Sequence, residues 1–238
     1  MNCDWQKRSK MLIGQEALVK LQNAKVAVFG VGGVGGFAVE ALARSAVGSL
    51  VLIDADEVEE SNLNRQIVAL RSTIGESKVG ALGKRVKDIN PNIDITLKKI
   101  FFSRDTAGEF DFTAYDYVID AVDSLSAKLE LVKRCKEVET PIISSMGMGN
   151  RLHPECVRVC DVYSTVNCPL AKRMRKELRK LEIDCLKVVA SDEEPVDTSV
   201  YRAADAKEER GAPASMVIVP AVAGMFLASE VIEHLIGG

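Results

Sequence analysis

The chain has no CxxC pair: its six cysteines, Cys3, Cys135, Cys156, Cys160, Cys168 and Cys185, are scattered over 238 residues. Such spacing argues against a tetra-cysteine zinc site and against a disulfide scaffold, so no zinc is expected. Two histidines, His153 and His234, suggest no metal pair. An excess of either charge is also missing. With 31 Lys and Arg against 34 Asp and Glu the formal net charge is −3, so any basic surface has to be local. MNCDWQKRSK at the start lacks the apolar core of a signal peptide. One long hydrophobic stretch, Met216 to Ile236, contains Pro220, Gly224, Glu230, Glu233 and His234. Charges there are costly in lipid, so it reads as a core strand, Ser215 to Val219, and a core helix, Ala221 to Ile236. No membrane partner is expected, and a cytoplasmic location is the default.

What is present is organised around residues 25–66. Val26 to Phe29 is an apolar run of buried-strand length, followed at once by Gly30-Val-Gly32-Gly-Val-Gly35 and a helical pattern through Leu42. A second buried strand, Ser49 to Ile53, ends at Asp54. Strand, glycine turn, helix, strand and terminal acid describe a nucleotide-binding unit. In it Gly30 allows the tight turn, Gly32 lets backbone approach phosphate, and Gly35 lets helix and strand pack closely. Asp54 stands where a carboxylate accepts hydrogen bonds from ribose.

Strands and helices alternate beyond it. A short helix precedes the unit, with Leu12, Leu18 and Leu21 as its apolar contacts. Gly75 to Ile89 reads as a helix, Asp94 to Phe101 and Tyr115 to Val122 as strands, Leu125 to Val138 as a helix and Pro141 to Ser145 as a strand. Val157 to Thr165 and Leu186 to Ser191 read as strands flanking a helix from Pro169 to Lys180. The expected fold is α/β, a doubly wound and largely parallel sheet, with ligands beyond the strand C-termini. Residues 1–150 form the nucleotide-binding core and 151–238 a C-terminal α/β extension of one domain. Residues 191–213, poor in large apolar side chains, read as a mobile loop, in which Arg202 and Arg210 are candidates to close over substrate.

A glycine turn with an acid suggests a nicotinamide-dependent dehydrogenase, but the residues after Asp54 argue otherwise. Ser61-Asn62-Leu63-Asn64-Arg65-Gln66 sets an Arg, amides and a hydroxyl where they can grip a polyphosphate. Lys78 adds a point charge, and Asp123 suits a magnesium ion between phosphates. Each residue also has a plainer role: Arg65 in a surface ion pair, Lys78 on a solvated helix, Asp123 as a helix cap. Cys135 and Cys185 lie in apolar patterns and read as core.

Gly30 to Gly36, Asp54-Ala-Asp56, Ser61 to Gln66, Lys78 and Asp120-Ala-Val-Asp123-Ser124 together resemble the adenylation core of the ubiquitin-activating superfamily, of ThiF/MoeB type. Within it the chain is similar, from about Arg8 onward, to the threonylcarbamoyladenosine dehydratases of tRNA. That similarity lies in Arg8 to Gly14, Cys168 to Arg179 and Lys187 to Pro195. The resemblance implies ATP and magnesium as cofactors. Gly33 and its neighbours would line the phosphates, Asp54 would bind ribose, Asn62, Arg65 and Lys78 would hold phosphates, and Asp56, Asn64 and Gln66 would belong to the same nucleotide site. Asp123 would position the metal, and Arg8 would reach the nucleotide of a second subunit in a homodimer. Cys168 stands where the enterobacterial members have Asp, which makes it a poor candidate for a nucleophile.

The activity implied is adenylation of a carboxylate on tRNA, followed by ring closure with net loss of water. Lys172, Arg173, Arg175, Lys176 and Arg179 crowd one helix and are the candidate tRNA contacts. A monovalent cation and sulfur-relay partner proteins are further expectations that no residue here places. The principal alternative is an adenylyltransferase that activates the Gly-Gly tail of a ubiquitin-like sulfur carrier. A non-catalytic scaffold ranks lower, since it would not need Arg65, Lys78 and Asp123. This chain's own Gly237-Gly238 reads as a helix cap.

Overall fold

Seven strands form one sheet in the order β3-β2-β1-β4-β5-β7-β6. They are β1 (Lys25–Phe29), β2 (Ser49–Ile53), β3 (Asp94–Lys98), β4 (Tyr117–Asp120), β5 (Ile142–Ser145), β6 (Val157–Asp161) and β7 (Lys187–Ser191). The computed structural model describes residues 4–198 and 213–237. All strand pairs are parallel except β6–β7, which is antiparallel. Strands β1, β2, β4 and β5 are continuous apolar or small-residue runs buried along almost their whole length, as a sheet covered on both faces requires. Strands β6 and β7 extend the same sheet. The chain leaves β1 toward β2 on one side and later returns to β4 on the other, so the strand order reverses between β1 and β4. Outside the C-terminal ends of those two strands lies the crevice where such folds hold ligands.

On one face lie α1 (Lys7–Asn23), α2 (Gly35–Arg44), α3 (Lys78–Ile89) and α6 (Ile218–Ile236). The other carries α4 (Leu125–Glu137), α5 (Pro169–Lys180) and an aromatic cluster. Within that cluster the Phe29 ring meets Phe102 at 4.9 Å and Phe110 at 5.3 Å between centroids. Between α2 and α3, buried Glu40 accepts both Arg85 Nε (2.7 Å) and Arg85 Nη2 (2.9 Å), and also Arg44 Nε (2.7 Å). Burial alone would raise the Glu40 pKa, but the bonds to Arg85 and Arg44 outweigh it and hold the carboxyl below its usual value.

Three expectations need correction. Residues 215–217 are irregular and α6 begins at Ile218, so no strand precedes that helix. Pro220 sits in its first turn, where its missing N–H has no partner to lose. Leu12 is 85 % exposed, whereas Leu18 and Leu21 are buried. The cause is a reversal at Gly14 (φ +83°). A straight helix would hold Gln6 and Gln22 about 24 Å apart, yet Gln22 Nε2 donates to Gln6 Oε1 at 2.8 Å. Thirdly, Cys185 is exposed, beside Lys136 at 3.6 Å, in the turn before β7. Of the 191–213 loop, residues 199–212, with Arg202 and Arg210, lie outside the described residues. Helix α6 is long and apolar enough to cross a membrane, but Ala223, Gly224, Leu227, Ala228 and Val231 are buried within the domain.

Two stability measurements test this packing. Gly35→Ala should lower stability by about 2 kcal/mol or more, because its new β-carbon would fall 1.8 Å from the Gly30 carbonyl oxygen. Gly32→Ala has no neighbour nearer than 3.7 Å and should stay within about 0.5 kcal/mol of the parent in urea titration. Glu40, whose folded pKa is depressed, contributes its stability in full above the ordinary carboxyl value of 4.5 and loses it as pH falls through the lower folded value. Glu40→Gln should therefore destabilise at neutral pH and show a shallower loss of stability below pH 4.5.

Candidate nucleotide-binding site

The site is built on backbone contacts too close for side chains. Gly30 has φ +84°, and a β-carbon there would lie 2.7 Å from the carbonyl oxygen of Ala121, just past β4. Gly35 opens α2 directly over the Gly30 carbonyl. The protein's own packing therefore demands these two glycines. Gly32 and Gly33 differ: their nearest neighbours are Gln66 Nε2 at 3.7 Å and Arg65 O at 3.5 Å. No side chain caps α2, so its N-terminal N–H groups and dipole favour an anion.

Asp54, immediately after β2, accepts Val31 N–H at 2.8 Å through Oδ2 and Asp56 N–H at 2.9 Å through Oδ1. Its carboxylate thus ties the glycine loop to β2, and each oxygen keeps a lone pair for a ribose hydroxyl. Asp56 pairs with Lys78: Lys78 Nζ lies 2.7 Å from Asp56 Oδ2, and Lys78 N–H donates to Asp56 O at 2.9 Å. The Lys78 side chain is 8 % exposed and Asp56 66 %. Lys78 is the first residue of α3, with Ser77 as its cap, so its ammonium is held in a fixed place.

Residues 60–66 fold as a 3-10 turn, Glu60–Asn62, and a loop. Asn62 is buried and bonds Glu59 N–H, closing a capping box. Asn64 donates to Ser215 O at 2.9 Å and so ties this loop to the lead-in of α6. Arg65 Nη1 is held by Ser61 O (2.8 Å) and Asn64 Oδ1 (3.0 Å), leaving its other N–H groups for a ligand. Gln66 is buried against Gly32, and its Oε1 has no partner among the described residues. An orphan acceptor and glycines open to approach, with Arg65 against Gly33, fit a nucleotide with its phosphates.

Asp123 is exposed in the β4–α4 turn and has no partner among the described residues. Ser124, not Asp123, caps α4 through Ala127 N–H. No group of three or more metal-ligating side chains occurs among the described residues. One free carboxylate in the turn whose Ala121 abuts Gly30 is a ligand of the kind magnesium takes together with phosphate and water. Sequence reasoning missed Lys128, fully buried and paired with Asp120 at 3.0 Å. The signal was its place on the stripe of Leu131, Val132 and Cys135, all fully buried.

Other candidates lie apart. Arg8 is exposed near the reversal that returns Gln6 to Gln22, and Trp5 nearby shares a hollow with Arg44, Asp88 and Ile89 at the C-terminal ends of α2 and α3. That is the end of the sheet at the N-termini of its parallel strands, opposite the glycine loop. On α5, which starts beside Gly147 after β5, Lys172, Arg173, Lys176 and Arg179 are exposed. Arg179 stacks over Tyr163 at 5.3 Å. Arg175 turns inward to Thr165 O at 3.0 Å and to the Thr165 hydroxyl. Lys180 pairs with Glu177 and His153 with Glu155. Cys168 is buried and its Sγ accepts Ala171 N–H, while burial, aided by Asp120, pushes the Cys135 thiol up to about 12.

The ThiF family model matches residues 6–238. The tRNA threonylcarbamoyladenosine dehydratase of Bacillus subtilis is 41% identical over 237 residues, covering 96% of this chain and 93% of its own. The structure of E. coli tRNA N6-threonylcarbamoyladenosine dehydratase, TcdA, in complex with ATP superposes with a TM-score of 0.88 at 30% identity, covering 99% of this chain and 96% of its own. The adenylyltransferase and sulfurtransferase MOCS3 of Aedes aegypti matches more distantly, 30% over 136 residues, 57% of this chain and 31% of its own. The chain belongs to the ThiF family and, within it, to the tRNA threonylcarbamoyladenosine dehydratases.

Proposed function

We propose that this protein uses ATP to activate the carboxylate of threonylcarbamoyladenosine in tRNA and closes it into a ring with net loss of water. The observation that carries the reading is the open glycine loop, with Gly32 against Gln66 and Gly33 against Arg65 and with Gly30 packed on Ala121 of the turn that bears Asp123, in a chain 41% identical to a B. subtilis enzyme of that name. The sulfur-carrier alternative has only the partial match to MOCS3 in its favour.

Asp54 orients the ribose while its bond to Val31 holds the glycine loop in shape. Arg65 and Lys78 bind the phosphates and stabilise charge developing there as the substrate carboxylate attacks the α-phosphorus and pyrophosphate leaves. Asn62 and Asn64 act by shaping this loop. Asp123 would hold magnesium, which when bound neutralises phosphate charge. A nucleophile within the substrate's own side chain then attacks the activated carbonyl and AMP departs with the oxygen.

The exposed cations of α5, beginning at the same sheet edge, suit the phosphate backbone of tRNA. Arg8, on the opposite edge of its own subunit, serves the nucleotide site of a second copy. A homodimer is supported by Met216, Ile218, Met225 and Phe226, large apolar side chains left exposed along α6 and its lead-in. A cytoplasmic location suits an enzyme acting on tRNA.

Mass spectrometry of digested tRNA, after incubation with ATP and magnesium, should show the nucleoside lighter by one water. Arg65→Ala should slow this by about 100-fold or more. An unchanged nucleoside, with ATP bound, would sink the tRNA reading and leave the adenylation site standing. Gly32→Ala, near neutral for folding, should raise the KM for ATP. Mixing the inactive Arg8→Ala and Asp123→Ala proteins should restore activity toward about a quarter of the parent rate, because a mixed dimer holds one complete site. Absence of any recovery would place Arg8 outside the partner's site.

A further inference from the structure

Asp120 and Lys128 are the most deeply buried ion pair among the described residues, with side chains 0 % and 1 % exposed. A buried pair gains little net stability, because desolvating both charges offsets their attraction. This one is also imperfect: Asp120 Oδ2 and Ser144 Oγ, on residues paired across β4 and β5, have no partner among the described residues. Its geometry suggests another use. Asp120 ends β4, Lys128 lies in the first turn of α4, and the chain between them is the turn that carries Asp123. Asp120 Oδ1 accepts both Lys128 Nζ at 3.0 Å and Val122 N–H at 3.2 Å. On its other flank the turn is fixed to β1, where Ala121 N–H donates to Phe29 O at 2.8 Å and the Ala121 carbonyl abuts Gly30.

We propose that Lys128 and Asp120 are positioning residues: their buried bond clamps the β4–α4 turn and sets Asp123 at the distance from the glycine loop that a magnesium–nucleotide complex requires. The proposal rests on Asp123 being the magnesium ligand. Bonds behind a metal ligand are worth about 10–100-fold in metal affinity or activity.

The test reads binding, not turnover. Calorimetric titration of ATP with and without magnesium gives the factor by which the metal tightens ATP binding. Lys128→Met strands a buried carboxylate and should lower the urea midpoint. Asp120→Val/Lys128→Met removes both charges and should recover much of that midpoint. Both should lose about tenfold or more of the magnesium factor. A double variant with a recovered midpoint and an unchanged factor overturns the proposal, since the pair would then be structural alone. Where the charge-deleting variants do not fold, Lys128→Arg and Asp120→Glu, which keep both charges but alter the reach, carry the test. A reduced magnesium factor supports the clamp, and an unchanged one overturns it. Asp123→Ala, titrated alongside, separates the two readings. If it leaves the factor unchanged, the metal assignment falls and the clamp with it; if it alone lowers the factor, only the clamp falls.

Discussion

Three stretches of backbone meet where no side chain fits: Gly30 at the end of β1, Gly35 at the start of α2, and Ala121 after β4. A β-carbon on Gly35 would lie 1.8 Å from the Gly30 oxygen, and one on Gly30 would lie 2.7 Å from the Ala121 oxygen. This contact draws together the two loops on either side of the strand-order reversal. It brings the glycine loop, with Asp54 behind it, against the turn that carries Asp123. Without it the residues that bear on the nucleotide would belong to separate surface loops.

Around that contact the polar groups divide into those already committed and those left over. Asp54 spends one lone pair of each oxygen on backbone N–H groups, and Asn62 and Asn64 are occupied in shaping their own loop. Lys78 is held by Asp56, whose exposed carboxylate a polyphosphate can displace or outbid for the ammonium's remaining donors. Gln66 Oε1 and Asp123 remain without protein partners among the described residues. The committed groups give these loops their shape without a ligand, and the free ones are left available to one. Such preorganisation is what electrostatic catalysis needs, because no reorientation has to occur as charge develops.

How much of this was legible in the sequence depended on the kind of signal. Buried parallel strands are uninterrupted apolar runs between turn residues, and Ser49–Ile53 was read with both its boundaries. Pro169 marks the start of α5 equally well, and the structure adds the Cys168 side chain as its cap. Direction within a helix was harder. The run from Lys172 to Lys180 announced a basic helix, but only the fold shows Arg175 turned in to Thr165 and Lys180 tied to Glu177. Lys128 was overlooked because a lysine on an apolar stripe is usually discounted, and its partner lies on another element. The Gly14 reversal leaves no periodic trace either, so the sequence groups Leu12 with Leu18 and Leu21 as an apolar contact of the first helix although it is exposed. Residues 215–219 resemble a strand because Val and Ile favour strands, yet in the fold 215–217 are irregular and Ile218 and Val219 open α6.

The placement of the cysteines bears on mechanism. Cys135 is fully buried, and burial, aided by the Asp120 charge, pushes its thiol up to about 12, away from the thiolate a nucleophile needs. Cys168 is near the ligand edge, but it is buried and engaged in capping α5. Cys185 is exposed beside Lys136, near the C-terminal end of α4 and so away from the crevice. None of these three combines access, a place at the β1–β4 crevice and an activating neighbour. An adenylating enzyme that passed its acyl group to its own thiol would need all three. A substrate that carries both the carboxylate and the group that attacks it does not, since each is held within reach of the other by the substrate's own bonds. The placement of these three thiols is consistent with an intramolecular acceptor, in which the protein activates one end of the side chain and leaves the other to close on it.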